Sequence, residues 1–302
     1  MRSYIDEICK ELEFPAEAIE AMQNAWSKLE GSGESKVYCA MIEEYRCNKT
    51  RNLADAIKEI DLAAEKAGIH RYTAEFLLFL LLTQPLREHY EKQGIPLRIW
   101  HDSCMDLHWK LMECKKVYGI WGSFVAWWFP GFFDLTRFAL GRLQFELIDF
   151  PKEYEAAGLV RPQEMTKAIN VHIPSCGKLV REDYLKSYQM AAEFFADAFP
   201  GNQVAFVCES WLLFEGHREM LPSDSGIIQF MNDYEILLQK DSEEDLWRIF
   251  DREWDKDAHA LPERTSLQRN YKTWLLEGKA TGFGYGIFFQ KKSMFYLFLG
   301  EE

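Results

Sequence analysis

The stretch Ile169-Asn-Val-His-Ile-Pro-Ser-Cys-Gly-Lys-Leu179 decides how the rest of the chain is read. Ile169, Val171 and Ile173 alternate with Asn170 and His172, the period-two pattern of a half-buried strand whose polar face carries an imidazole. Pro174, which cannot donate to a ladder, closes that strand, and Ser175-Cys176-Gly177-Lys178 reads as a sharp, polar turn. Behind it Tyr184, Tyr188, Ala191, Ala192, Phe195 and Ala198 recur at helical spacing as far as Pro200-Gly201. The unit is therefore strand, glycine-containing turn, helix. The first amides of a helix lack intrahelical acceptors and the helix dipole favours negative charge there, so such a turn can seat a phosphate or pyrophosphate. The same arrangement also occurs in α/β proteins whose turn binds nothing. Val204 to Cys208, the next apolar run, is expected to lie parallel to the first strand.

Composition narrows the class. With 302 residues, 48% of them hydrophobic, the chain has ample core material for two ordinary domains, which excludes global disorder. A formal charge of -13 and the lack of any Lys/Arg cluster argue against a nucleic-acid partner. Seven cysteines without a Cys-x-x-Cys pair fit reduced thiols better than a disulfide framework. The most apolar run spans only Phe76 to Leu82, far short of the ~20 residues a membrane span needs, and the amphipathic, acidic N-terminus carries no signal-peptide core. These features predict a soluble cytoplasmic protein.

From residue 4 to about 122 every segment reads as helix, with Pro15 to Leu29, Asn52 to Ala67, Thr73 to Gln93 and Leu97 to Tyr118 the clearest. Thr73 to Gln93 is apolar on most sides at first, which predicts the central buried helix. Residues 119–133 then form a dense aromatic and Gly/Pro stretch, read as an inter-domain seam that can also line an acyl or acceptor pocket. Strands follow: Arg142 to Ile148, with Leu143, Phe145 and Leu147 on one face and Gln144, Glu146 and Ile148 on the other; 169–173; Val204 to Cys208; Tyr234 to Leu238; Gly282 to Phe289; and Met294 to Leu299. Helical stretches are expected at Arg218 to Met231, Glu243 to Arg252 and Ser266 to Glu277. Gly282, Gly284 and Gly286 alternate with large residues, which suggests a strand closely approached by another backbone rather than a phosphate loop.

The strings Gly141-Arg-Leu-Gln-Phe-Glu-Leu147, His172-Ile-Pro-Ser-Cys-Gly-Lys-Leu179, Cys208-Glu-Ser-Trp-Leu-Leu213 and Leu221-Pro-Ser-Asp-Ser-Gly-Ile-Ile228 resemble a bacterial group of GNAT-like acyltransferases with a helical N-terminal domain. The resemblance implies an all-helical domain over residues 1–138, then a GNAT-like mixed-sheet domain with flanking helices over 139–302. It also implies that Ser175, Cys176, Gly177, Lys178 and Leu179 hold the pyrophosphate of coenzyme A on backbone amides, and that an acyl-CoA is the co-substrate. The usual GNAT turn, Gln/Arg-x-x-Gly-x-Gly/Ala, is absent, and Cys176 stands where this group is expected to carry another glycine. Many GNAT enzymes supply an acid from a tyrosine on the helix before the sixth strand, and Arg218 to Asn232 contains none.

Acyl transfer from a thioester to an amine needs a proton acceptor, polarisation of the thioester carbonyl and stabilisation of the leaving thiolate. His172 leads as base, since imidazole changes protonation near neutral pH; a core histidine bonded to a carbonyl is the alternative. Glu146, on the polar face of the preceding strand, can orient that imidazole or act through a water. Glu209 and Ser210, at the carboxyl end of the Val204 strand, are further catalytic candidates, against a plain capping role. Arg142 can bind a phosphate or simply pair on the surface. Cys176 as nucleophile and His101, Asp102, Cys104 and His108 as metal ligands are weaker readings, because neither has a supporting pattern. The expected function is N-acylation of a small-molecule amine. An acyl-CoA-binding module without turnover, or a structural protein using its helical domain as an interaction surface, are the readings from other classes.

Overall fold

The structure is a computed structural model and describes residues 1–47, 53–159 and 161–292, the side chain of residue 54 excepted. It forms two compact units, Met1–Ala139 and Leu140–Glu302.

The first unit is helical: α1 (Arg2–Glu11), α2 (Ala16–Ser32), α3 (Ser35–Arg46), α4 (Leu53–Ala67), α5 (Arg71–Gln93), α6 (Leu97–Tyr118) and the short α7 (Pro130–Phe133). Helix α5 packs against α1, α2, α3, α4 and α6, which explains why its middle has no polar stripe: every residue from Phe76 to Leu82 is fully buried. The described contacts of the aromatic stretch lie within this unit. Phe129 and Phe133 each pack 5.1 Å from Phe79 of α5, so these rings complete a helical core. The cavity they line with Leu86, Cys104 and Leu107 measures about 10 Å³, room for one water and no acyl chain. His108 spends its Nδ1 on the Leu12 carbonyl at 2.9 Å and Cys104 is buried, so the residues 101–108 make helix packing; no group of metal-ligating side chains is found among the described residues. All seven cysteines are free. No helix is long and apolar enough to cross a membrane, among the residues described.

The strands and remaining helices are β1 (Arg137–Leu140), β2 (Leu143–Asp149), α8 (Lys152–Ala156), β3 (Lys167–His172), α9 (Arg181–Phe194), β4 (Gln203–Ser210), α10 (His217–Met220), α11 (Gly226–Met231), β5 (Glu235–Asp241), α12 (Leu246–Phe250), α13 (Ser266–Leu276) and β6 (Gly282–Lys291). They build one mixed sheet of order β1-β2-β3-β4-β6-β5. Strand β2 runs antiparallel to β3, β3 parallel to β4, and β6 antiparallel to both β4 and β5. Only the β3–β4 pair is parallel among these, and α9 supplies its crossover, as the strand-turn-helix-strand pattern predicts.

Alternation assigns the two faces of the sheet. Phe145, Phe206 and Phe288 share one face with the ring of Tyr188 from α9, which lies 6.2, 5.2 and 4.8 Å from them. Gly284 and Gly286 fall on that face too: a Cβ on Gly284 would stand 2.3 Å from the Leu213 carbonyl oxygen, and one on Gly286 2.7 Å from Leu213 Cδ1. The glycine alternation thus marks close approach by the segment after β4.

Boundaries differ where local signals compete. Arg218 to Met231 is two helices, because Pro222 cannot continue α10 and Ser225 caps α11 by accepting the Ile228 amide. Glu243 to Arg252 shrinks to α12, which ends at Asp251 in the left-handed conformation. The strand expected from Tyr234 begins at Glu235 and runs to Asp241. Strand β1 and helix α8 were too short to stand out from sequence. Met294 to Leu299 lies outside the described residues.

Candidate active site

Strand register gathers the polar residues. Gln144 pairs with His172 and Glu146 with Asn170, so all four project from the face opposite α9. The Nε2 of His172 lies 3.3 Å from Glu146 Oε2 and 3.4 Å from Asn170 Nδ2. Protonated, that nitrogen donates to the carboxylate; deprotonated, it accepts from the amide. It has a partner in either state, and both His172 and Glu146 are about one-fifth exposed, at 19% and 21%. The described contacts of its Nε2 are with a carboxylate and an amide, at the end of a strand.

The described β3–β4 pairs are Ile169 with Phe206 and Asn170 with Val207, although β3 continues to His172 and β4 to Ser210. Val207 sits beside Asn170, so Glu209, two residues on and exposed, shares the His172 face. Ser210 does not: alternation turns it to the other face, where its Oγ accepts the Leu212 amide at 3.1 Å and closes a short 3-10 turn. Glu209 pairs with Tyr285 of β6, whose hydroxyl takes a hydrogen bond from Lys240 Nζ at 2.8 Å. That bond to Tyr285 raises the affinity of Lys240 for its proton. Nothing local signals this grouping, because Glu209, Lys240 and Tyr285 lie on three strands far apart in sequence. Tyr234, another phenol near β4, is buried and bonded to Tyr188 at 2.8 Å, and burial holds its proton firmly.

The turn occupies residues 175–180, and α9 starts only at Arg181 with no side-chain cap. Glu182 and Asp183 fill its first turn, so the helix dipole already faces the chain's own carboxylates. Among the described residues no backbone acceptor takes the amides of Gly177, Lys178 or Leu179. Gly177, at φ +96°, has nothing within 4 Å of where a Cβ would stand, so the turn is open on that side. Cys176 Sγ sits 4.0 Å from the carbonyl oxygen of Arg142. The guanidinium of Arg142 points at the turn and donates to the carbonyls of Pro174, Gly177 and Lys178 at 3.1, 2.9 and 3.3 Å.

A mixed sheet with a parallel β3–β4 pair, a histidine at the end of β3 and an open turn after it is the architecture of a GNAT-like domain. The family model described as GNAT-like C-terminal domain matches residues 137–288, and the one described as N-acyltransferase N-terminal domain matches 3–135. The chain belongs to this family of GNAT-like acyltransferases with a helical N-terminal domain. A solved acyltransferase in complex with decanoyl-CoA and teicoplanin is similar at a TM-score of 0.69 and 20% identity, covering 95% of this chain and 87% of that one. Another, an acyltransferase in complex with decanoyl-CoA, gives 0.62 and 21%, with 94% and 98% covered. At such identities the likeness is one of fold. No curated protein matches the chain.

Proposed function

We propose that this protein is a coenzyme A-dependent N-acyltransferase in which an amine of a small molecule attacks the carbonyl of an acyl-CoA thioester directly. The observation that carries the reading is the His172–Glu146 contact at 3.3 Å, at the end of β3 and three residues ahead of the open 175–179 turn. The turn amides of Ser175 to Leu179 hold the pyrophosphate, and the thioester lies beside the end of β3. As the amine bonds to the carbonyl carbon, His172 takes the proton its nitrogen sheds, and Glu146 stabilises the positive charge the ring acquires. Collapse of the tetrahedral intermediate breaks the carbon–sulfur bond; the thiolate, a tolerable leaving group, takes up a proton on release. Glu209 shares the face and is the second candidate for proton transfer. Family membership supports the reaction class, and the related structures with decanoyl-CoA support the choice of donor.

The test is release of thiol from acetyl-, octanoyl- and decanoyl-CoA with a panel of small amines, beside a thermal-shift measurement of acyl-CoA binding. Release that depends on the amine is expected. Binding without amine-dependent release for any acceptor would favour a carrier module, and neither binding nor release would overturn the reading altogether.

A further inference from the structure

One guanidinium holds three carbonyls of the same short segment. Arg142 Nη1 donates to Pro174 O at 3.1 Å, Nη2 to Gly177 O at 2.9 Å and Nε to Lys178 O at 3.3 Å. Among the described residues no peptide bond is cis, and across a planar trans peptide the carbonyl and the following N–H point to opposite sides. Fixing these three oxygens on Arg142 therefore holds the N–H groups of Ser175, Lys178 and Leu179 turned away from the guanidinium.

We infer that Arg142 is a positioning residue for coenzyme A, holding the peptide planes of the 174–178 segment with their amides turned outward from the guanidinium for the pyrophosphate to meet. The inference rests on reading Ser175–Leu179 as the pyrophosphate turn. Arginine suits the task because its donors lie in a rigid planar fork, whereas a lysine ammonium is a single point on a flexible stem. Arg142 is itself anchored from behind: its amide donates to Ser187 Oγ at 2.7 Å, and the same oxygen takes the Leu143 amide at 3.3 Å. Ser187 lies on α9, so turn, helix and the start of β2 are tied at one residue. Four positions along β2 stands Glu146, the carboxylate beside His172. With a single glycine among residues 175–179, the turn depends on this outside clamp for its shape.

Binding of coenzyme A and of pantetheine, which lacks the phosphates, is to be measured by calorimetry on wild type, Arg142→Gln and Arg142→Lys, at several salt concentrations. Arg142→Gln should weaken coenzyme A by about tenfold to hundredfold and leave pantetheine unchanged. Arg142→Lys should recover only a small part of the loss. At saturating acyl-CoA kcat should stay within about twofold of wild type, so the effect falls on KM. The slope of log Kd against log salt should match wild type, since a positioning arginine neutralises no phosphate. A folded Arg142→Gln protein with wild-type affinity overturns the inference, and so does a slope shallower by about one charge, which means direct phosphate contact. If Arg142→Gln does not fold, Ser187→Ala takes its place: a Kd raised severalfold supports the clamp, and an unchanged Kd overturns it. Failure of wild type to bind coenzyme A is a different result, which removes the proposed function itself.

Discussion

If Glu146 acts through His172, removing the carboxylate should matter only while the imidazole is present. The separation of 3.3 Å gives an imidazolium–carboxylate attraction of about 5 kcal/mol at an effective dielectric of about 20. With both side chains about one-fifth exposed, solvent screening and the desolvation of the pair leave about 1–2 kcal/mol. Glu146→Gln should therefore lower kcat by about 5- to 30-fold, and His172→Ala by about 10²–10⁴. The double variant should be no slower than His172→Ala alone, so the cycle is strongly non-additive. Steady-state thiol release at saturating acyl-CoA measures all four proteins, and KM for acyl-CoA should change little. Raising the pH should partly restore His172→Ala, because more of the amine then arrives deprotonated. Multiplicative losses in the double variant would refute the reasoning, since two groups that multiply are working separately. Wild-type turnover in His172→Ala would refute it as well, and Glu209 would become the leading base.

Gly177→Pro should raise the KM for acyl-CoA at least about tenfold, because proline cannot adopt φ +96° and removes a turn amide; an unchanged KM would show that the turn does not touch the donor. Gly284→Ala should destabilise the protein by about 1–3 kcal/mol in urea unfolding, since its Cβ would lie 2.3 Å from the Leu213 carbonyl oxygen; wild-type stability would mean that the strands separate readily there. Burial lowers the fully enclosed His217, whose Nε2 faces the Tyr271 hydroxyl, to about 4. The folded value lies below the unfolded one near 6.5, so its contribution is complete above about pH 6.5, declines as pH falls through that window and is gone below about 4, a change of about 3 kcal/mol. Urea unfolding at pH 7 and pH 4 should show wild type losing about that much more than His217→Phe, and equal losses would contradict it.

Most of the local structure was legible in the sequence because periodicity reports which side of an element meets apolar surroundings. The alternation of Leu143, Phe145 and Leu147, and of Ile169 and Val171, placed Glu146 and His172 on polar faces before any pairing was known. The unbroken run Phe76 to Leu82 marked a helix surrounded by others, and alternating glycines marked a strand that another segment approaches. Periodicity is silent on register and on what stands opposite. Only tertiary structure decided that Glu146 meets His172 across 26 positions, because that depends on how β2 and β3 slide against each other. It alone turned Ser210 away from the imidazole, since a face is set by the whole strand and not by nearness in sequence. It alone aimed Arg142 at the carbonyls of a turn more than thirty residues away, for a guanidinium finds its acceptors only after the backbone has brought them together.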